Sequence, residues 1–271
     1  MPAVAMLALV IALVVALTLS PARAQAPNGR APGDPLVLRV GTFADNRPWV
    51  FRDEEGRLVG FEVDLVRALA GELGRRADFT AMPFKDLLPA LGTGSVDLVV
   101  CSISVTPERR ARIDFTQPYY ETSQAVVVLK KARIRSLADL AGKTVTATTG
   151  TTNEQWLLDN RSRYRFGPAV MVGGLDEGLS LLQNGGADAY FGDLPALLYS
   201  LLTRPDLAVA VRLPTDDRYA VALAHGSALT PRVDAALATL KRNGTLAAIH
   251  HRWFGSAPPQ DSPVTTELPR P

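Results

Sequence analysis

Three segments of the sequence place charged and hydroxyl side chains directly after short apolar runs, where they could bind a small charged molecule. In the first, Ser102, Ser104 and Thr106 follow the apolar run that ends at Cys101, and Arg109 comes soon after them. A threonine followed by proline is a strong helix start, which puts Arg109 in the first helical turn. A guanidinium group is a planar fork that suits a carboxylate. The alternative is that Arg109 and its neighbouring arginines form a solvated helix face.

The other two segments offer a negative charge and a set of free N–H groups. Asp193 follows an apolar run and could bind a cation, or it could simply cap the next helix. Residues 148–154 combine Gly150 with four threonines before a helix, and such a turn presents N–H groups that suit an anion. Together the segments could hold a carboxylate and an ammonium. Those are the two charges of a free amino acid, and each needs a fixed partner once it leaves water.

The elements that position these residues follow from the apolar pattern between residues 36 and 255. Predicted strands cover residues 36–41, 96–100, 125–129, 143–147, 187–191 and 219–224. Predicted helices cover residues 63–73, 87–91, 153–158, 175–182, 195–202, 233–240 and 246–253. Strands separated by helices are typical of parallel α/β sheets, whose ligands bind beyond the carboxyl ends of the strands. The residues after positions 100 and 191 are therefore the expected site.

A faint internal repeat divides this region in two. Residues 87–100 resemble residues 179–191, because each stretch runs from a helix through glycine and aspartate into an apolar strand. The repeat indicates two lobes of similar construction.

Composition excludes some functions and leaves others open. The 271 residues carry a formal charge of only +2, which gives no basis for nucleic-acid binding. The single cysteine, Cys101, can form no internal disulfide and lies far from any position for a lipid anchor. We interpret it as a small buried thiol, because no motif places one of the three histidines to activate it. The adjacent pair His250 and His251 is not a metal site, since neighbours on a helix point apart.

The two ends differ from the middle. Residues 3–19 are almost all apolar, and the small residues Ala22 and Ala24 match a signal-peptidase site, so we expect residues 1–24 to be a signal peptide cleaved after Ala24. No lysine or arginine precedes the apolar run, which keeps a retained membrane anchor as the alternative. Residues 25–35 are expected to be a linker. Residues 256–271 are rich in proline and are expected to be a disordered tail.

Over residues 40–255, a series of segments in the same order makes the chain resemble the periplasmic amino-acid-binding proteins of ABC importers, the solute-binding proteins of family 3. The segments that carry the resemblance are Gly60–Leu65, Phe84 with Leu88–Leu91, Val96–Leu98, Ser104–Arg109, Ile113–Tyr120, Leu137–Lys143, Gly150–Thr152, Ala187–Ala189 with Asp193, and Asn243–Thr245 with Trp253–Gly255. The resemblance implies a monomeric periplasmic protein, without cofactor or metal, that delivers an amino acid to an inner-membrane ABC permease.

The same resemblance implies an α/β, two-lobed periplasmic-binding-protein fold of type II. Lobe 1 would comprise residues 36–122 and 218–255, and lobe 2 would comprise residues 123–217. Two crossing strands would join them, with hinges near residues 121–124 and 216–219, and the lobes would close over the ligand.

Site roles also follow from the resemblance, position by position. Arg109 would bind the α-carboxylate, helped by the N–H and hydroxyl of Thr152. Asp193 would bind the α-ammonium, shared with Ser104 and the backbone near Ser102.

The side-chain pocket departs from the family pattern. Phe84 would pack on the aliphatic part of the ligand, but Asn46 stands where family members often have a second aromatic residue. Asn46, Thr148, Thr149 and Thr151 indicate a polar pocket. Phe43 stands where binders of basic amino acids tend to carry an acid, which disfavours lysine and arginine. A neutral polar or acidic amino acid is therefore the expected ligand.

Two rival functions use the same scaffold. Cyclohexadienyl dehydratases resemble these binders but add a catalytic acid after the aspartate that matches Asp193, where this chain has only the apolar residues 194–198. Glu154 could be proposed, but its family position lies outside the pocket. We therefore expect a binding protein rather than an enzyme. A sensor domain that presents its ligand to a membrane receptor is the other alternative.

Overall fold

The computed structural model describes residues Asp34 to Pro271, so the expected signal peptide and most of the expected linker lie outside the described residues. The strands are β1 (Val37–Thr42), β2 (Asp45–Asn46), β3 (Val50–Arg52), β4 (Leu58–Val59), β5 (Arg76–Ala81), β6 (Leu98–Val99), β7 (Ile113–Phe115), β8 (Tyr120–Leu129), β9 (Val145–Thr148), β10 (Ala169–Val172), β11 (Ala189–Asp193), β12 (Leu207–Tyr219) and β13 (Ala222–Ala224). The helices are α1 (Phe61–Glu72), α2 (Phe84–Gly92), α3 (Pro107–Arg110), α4 (Thr152–Tyr164), α5 (Leu175–Gln183), α6 (Leu194–Leu201), α7 (Thr230–Arg242) and α8 (Thr245–Phe254), with a 3₁₀ turn at Leu137–Leu140.

Two five-stranded sheets form the centres of two lobes. The sheet of lobe 1 has the order β5-β1-β6-β13-β7, and the sheet of lobe 2 has the order β10-β9-β11-β8-β12. Both sheets are mixed. In lobe 1, β1 runs parallel to β5 and β6, whereas β13 runs antiparallel to β6 and β7. In lobe 2, β9 runs parallel to β10 and β11, whereas β8 runs antiparallel to β11 and β12. The small antiparallel sheet β2-β3-β4 follows β1. The predicted α/β architecture with two lobes is confirmed.

The strands β8 and β12 carry the chain between the lobes. At the end nearest lobe 1 they pair in the register Tyr120 with Tyr219, Glu121 with Arg218 and Thr122 with Asp217. The register then shifts between Leu213 and Asp217. The segments predicted as hinges, residues 121–124 and 216–219, lie at this paired end and at the register shift beside it. Movement about them stays a prediction.

The internal repeat of the sequence corresponds to one structural device used twice. In lobe 1 the Asp97 carboxylate accepts a hydrogen bond from Arg39 N at 2.8 Å, and Asp97 N donates to Arg39 O at 2.8 Å. In lobe 2 the Asp188 carboxylate accepts from Thr144 N at 2.9 Å, and Asp188 N donates to Thr144 O at 2.8 Å. Each aspartate therefore aligns its strand with the neighbouring parallel strand, β1 or β9.

An aromatic cluster fills the base of lobe 1 beside the crossing strands. Trp49, Phe61, Tyr119 and Tyr219 are all fully buried, and the Trp49 ring lies 5.5 Å from Phe61 and 5.4 Å from Tyr219, edge to face. This packing fixes the two tyrosines at the point where the chain passes between the lobes.

The C-terminal segment differs from the expected disordered tail, because residues 256–271 pack on lobe 1. Val264 is buried in the main hydrophobic core. The buried Lys241 ammonium donates to Thr266 O at 2.9 Å, and to Gln117 Oε1 and Pro118 O at 2.8 Å. A desolvated ammonium needs such acceptors. The proline-rich composition concealed this docking, which also includes an ion pair between Arg242 of α7 and Glu267 at 2.8 Å.

None of the helices within Asp34–Pro271 is long and apolar enough to cross a lipid bilayer.

Candidate ligand-binding site

A cavity with about 540 Å³ of empty space lies between the two lobes. All eight residues predicted for the site line it. Lobe 1 supplies Asn46, Phe84, Ser102, Ser104 and Arg109, and lobe 2 supplies Thr148, Thr152 and Asp193. Ser102 lies three residues after β6, and Thr148 and Asp193 are the last residues of β9 and β11, as expected for a ligand site at the carboxyl ends of the strands.

Arg109 enters the cavity from the first turn of α3. The Thr106 hydroxyl caps this helix by accepting from Arg109 N at 3.2 Å, as the Thr-Pro pair predicted. The guanidinium donates to Ser104 O at 2.9 Å and, across the cleft, to Gly150 O at 3.3 Å. Burial lowers the pKa of Arg109 from its ordinary value. The solvated-face alternative applies instead to Arg110 and Arg112, which are exposed.

Asp193 ends β11 and begins α6, but its carboxylate makes no capping hydrogen bond to that helix. It accepts instead from Asn153 Nδ2 at 3.0 Å and from the Tyr219 hydroxyl. Burial raises the pKa of Asp193 to about 6, although both of these donors act to lower it. The cap alternative therefore fails, because the carboxylate is turned toward other partners.

The two opposite charges of the cavity do not neutralise each other directly. The charge of Asp193 acts to raise the pKa of Arg109, and the charge of Arg109 acts to lower the pKa of Asp193. Within Asp34–Pro271, however, no ion pair joins Arg109 to Asp193. A small molecule with two opposite charges could therefore engage both residues.

Ser102 is held in place by a buried carboxyl that the sequence did not reveal as part of the site. Ser102 has a left-handed backbone with φ of 48°, and its N–H donates to Glu62 Oε1 at 2.6 Å. Its hydroxyl accepts from Asn46 Nδ2 at 3.0 Å. Glu62 is fully buried, and the Tyr119 hydroxyl also donates to its Oε1 atom. Burial raises the pKa of Glu62 to about 7.

The threonine loop before α4 is less available to an anion than the sequence indicated. Gly150 N donates to Glu154 Oε2 at 2.6 Å, so this N–H is already used. The Thr151 hydroxyl caps α4 by accepting from Glu154 N at 3.2 Å, and it donates to Thr148 O at 2.7 Å. Thr152, as the first helical residue, keeps an N–H that helix geometry leaves without an intrahelical acceptor.

Asp45 is a further acidic residue of the cavity lining that sequence reasoning missed. Its Oδ2 atom accepts from Asp176 N at 3.3 Å, so a lobe 1 carboxylate lies at the first turn of α5 in lobe 2. A Cβ atom at Gly174 would lie 2.4 Å from the same oxygen, so this glycine admits the contact. Burial, and then the charge of Asp176, raise the pKa of Asp45 to about 7. An acid was sought in the sequence at position 43, and the available signal for Asp45 was that it lies only two residues further on.

The aromatic side of the pocket is supplied by Phe84 with Phe43 and Tyr190. Trp49, the next aromatic residue after Asn46 in the sequence, is fully buried in the aromatic cluster and does not line the cavity. The Arg109 guanidinium lies 5.9 Å from the centre of the Phe84 ring.

Cys101 is buried and lines the cavity wall, where its Sγ lies 3.9 Å from Phe43 O. Burial raises the pKa of this thiol, which keeps it protonated. No group of three or more His, Cys, Asp or Glu side chains in the described part of the chain is placed to hold a metal ion.

Comparison with known proteins places the chain among extracellular binders. The sequence profile of the bacterial extracellular solute-binding proteins, family 3, matches residues 38–256. ABC transporter arginine-binding protein 1 of Escherichia coli K12 is 32% identical over 223 residues, covering 80% of this chain and 90% of that protein. An ancestral arginine-binding protein, solved with arginine and also with glutamine, is 34% identical with a TM-score of 0.78 in both cases. The two structures cover 81% and 82% of this chain, and each is itself covered to 99%.

The dehydratase alternative has no acid in the place that it requires. Residues 194–198 contain no carboxyl, and Glu154 is absent from the lining of the cavity. The relatives above are all named as binding proteins. The chain therefore belongs to the bacterial extracellular solute-binding proteins of family 3, a family of binding proteins.

Proposed function

We propose that this protein captures a free amino acid outside the cytoplasm and delivers it, as a monomer, to the membrane permease of an ABC importer. Arg109 binds the α-carboxylate with help from Thr152, and Asp193 binds the α-ammonium with help from Ser104 and the backbone at Ser102. Export through a cleaved leader at residues 1–24 is part of the same proposal.

One observation carries this proposal. Arg109 of lobe 1 and Asp193 of lobe 2 line the same cavity without an ion pair between them. A zwitterion offers each residue an opposite charge, so binding offsets the cost of two desolvated charges whose direct partners are otherwise uncharged groups. Since one charge comes from each lobe, the ligand also favours the closed arrangement of the lobes.

A neutral polar side chain suits the remainder of the lining. Asn46, Thr148 and Tyr190 place amide and hydroxyl groups in the cavity. Arg109 is the one basic side chain of the lining, and it is engaged by the α-carboxylate in this proposal. An acidic side chain would instead meet the Asp45 carboxyl, so we favour the neutral part of the earlier expectation over its acidic part. Glutamine, bound by the ancestral relative, has this chemistry.

A basic amino acid is the second candidate, because Asp45 lines the cavity. Two of the compared proteins are named for arginine. A cationic ligand side chain beside Asp45 would offset the free-energy cost of burying the ionised carboxylate. The sequence expectation disfavoured basic ligands because position 43 carries no acid, and it did not consider Asp45.

A thermal-shift screen against the free amino acids tests the proposal, because a ligand that binds the native state alone raises its melting temperature. We expect one or a few polar amino acids to do so in the wild type. Their α-amides and their des-amino analogues should fail, since each lacks one of the two charges. If no amino acid raises the melting temperature, or if the analogues work equally well, the proposal is wrong.

A further inference from the structure

Tyr219 ends β12 and belongs by its backbone to lobe 1. It forms a β-bridge with Ser104 of the cavity, and Tyr119 N donates to its carbonyl oxygen at 2.9 Å. The side chain is fully buried within the aromatic cluster. Its hydroxyl nevertheless reaches lobe 2, where it donates to Asp193 Oδ2. The phenol therefore connects the crossing strand, one wall of the cavity and the acid of the opposite wall.

The two donors to Asp193 differ in origin. Asn153 lies on α4 of lobe 2, so its bond to Oδ1 stays within the lobe. Tyr219 supplies the bond that crosses between the lobes. A carboxylate has about four lone-pair positions, two on each oxygen. Because one donor already occupies a position on each oxygen, a ligand ammonium can approach Asp193 only from the remaining directions. The phenol thus determines where the carboxylate points as well as how well its charge is stabilised.

We propose that Tyr219 is a positioning residue of the amino-acid site, whose phenol holds the Asp193 carboxylate in its ionised form and oriented for the ligand ammonium. The identity of the ligand in this inference rests on the proposed function. The effect of Tyr219 on Asp193 rests only on the geometry of their hydrogen bond. The phenol does not touch the ligand in this scheme.

Several other groups act on the Asp193 carboxylate. The titratable or charged residues that influence it, or that it influences, are Tyr219 and Asp217 on β12, Arg109 on α3, Tyr190 on β11, Glu62 on α1 and Cys101. Burial raises the pKa of Asp193, the Tyr219 bond lowers it, and the Asp217 charge raises it. Removing the phenol therefore moves the pKa of Asp193 upward.

The experiment compares the pH dependence of ligand affinity in the wild type and Tyr219→Phe. A ligand ammonium needs an ionised Asp193, so wild-type affinity for the amino acid found in the screen should fall as the pH drops through about 6. In Tyr219→Phe the midpoint should move upward by about one pH unit. The loss of affinity should then be about five- to sixfold at pH 6 and should almost vanish at pH 8, where Asp193 is ionised in both proteins. A merely structural role would weaken binding equally at every pH.

Tyr119→Phe is the matched control, because it removes a phenol that donates to the other buried carboxyl, Glu62. Tyr119 directly precedes β8, one of the two crossing strands. It should shift the Asp193 midpoint less than Tyr219→Phe does, because Glu62 influences Asp193 through its charge and makes no hydrogen bond to it. Fluorination of the ring at position 219, which strengthens the donor without removing it, should move the midpoint downward and covers the case in which Tyr219→Phe does not fold. An unchanged midpoint in both altered proteins, or an equal shift in Tyr119→Phe, would overturn the inference.

A second measurement separates this inference from the proposed function. The ¹³C carboxyl signal of Asp193, identified by its loss in Asp193→Asn, can be titrated in the protein without any ligand. If no amino acid binds, the proposed function fails, yet the Asp193 titration still shows whether Tyr219→Phe raises its midpoint. If amino acids bind and that midpoint stays in place, only the role of Tyr219 is rejected.

Discussion

Lobes 1 and 2 repeat the same unit of helix, glycine, aspartate and strand, yet they end it with opposite charges. Asp97 and Asp188 make the same pair of backbone hydrogen bonds in the two sheets. Arg109 comes after β6, on α3, whereas Asp193 is the last residue of β11. The repeated part holds the strands in register, and the part that differs carries the binding chemistry.

Two tyrosine–carboxyl pairs show a second contrast. Tyr119 donates to Glu62, which is fully buried below Ser102, and Tyr219 donates to Asp193, which lines the cavity. Burial raises the pKa of both carboxyls. The same donor therefore supports a sealed structural acid in one place and an accessible acid in the other. Position relative to the cavity, and not residue type, distinguishes their roles.

The largest expected effect is on the positive side of the cavity. Arg109→Ala should weaken amino-acid binding by about 2–5 kcal/mol, because it leaves a desolvated ligand carboxylate without its partner. Titration calorimetry measures the loss. Arg110→Ala, one residue away and exposed, is the control and should bind like the wild type. Wild-type affinity in Arg109→Ala would refute the role of this residue.

Asp193→Asn tests the negative side with nearly the same shape. We expect affinity for α-amino ligands to fall by about 2–4 kcal/mol, since a buried charge pair loses one member. Weakly bound des-amino analogues should lose far less. The comparison needs competition binding at pH 8, where the wild-type carboxyl is ionised. Equal losses for both ligand classes would mean that Asp193 has no contact with the ammonium.

Glu62→Gln tests whether the protonation of the fully buried Glu62 carboxyl affects the free energy of unfolding. The folded-state pKa of Glu62, about 7, lies above its ordinary value of 4.5. Its contribution to stability is therefore fully present below pH 4.5 and is lost as the pH rises through 7. The free energy of unfolding of the wild type, relative to Glu62→Gln, should fall by about 1–3 kcal/mol over that range. Urea denaturation at several pH values measures the difference, and parallel pH curves would contradict it.

The smallest effects concern the repeated aspartates. Asp97 also forms an ion pair with Arg39, in which the two side chains are 18% and 27% exposed, whereas Asp188 lies 3.7 Å from the more exposed Lys143. We expect Asp97→Ala to lower the free energy of unfolding by about 2 kcal/mol and Asp188→Ala by about 1 kcal/mol. Denaturant midpoints of the two variants test this order. An equal or reversed order would show that the ion pair adds nothing to the repeated backbone bonds.

Agreement between sequence and structure is best at the centres of the two sheets. The strands β1, β6, β13, β9, β11 and β8 all lie within or beside predicted apolar runs. The strands β5, β7, β10 and β12, which form the four edges, were not predicted as strands apart from the last residue of β12. An edge strand has a neighbour on one side only and tolerates polar residues, as in the segment Asp216–Arg218 of β12. Its apolar pattern is therefore weak.

The sequence alone determined the central strands, the helices between them and the residue types at the strand ends, because burial on a sheet or helix face imposes a period on apolar residues. Together with the resemblance to family 3, it also identified eight side chains that line one cavity. Tertiary structure alone decided which partners those side chains have. Glu62 below Ser102, Tyr219 against Asp193, and Asp45 at α5 are contacts between positions 26 to 131 residues apart. No local period encodes such pairs, since they arise only when two lobes and their crossing strands are packed together.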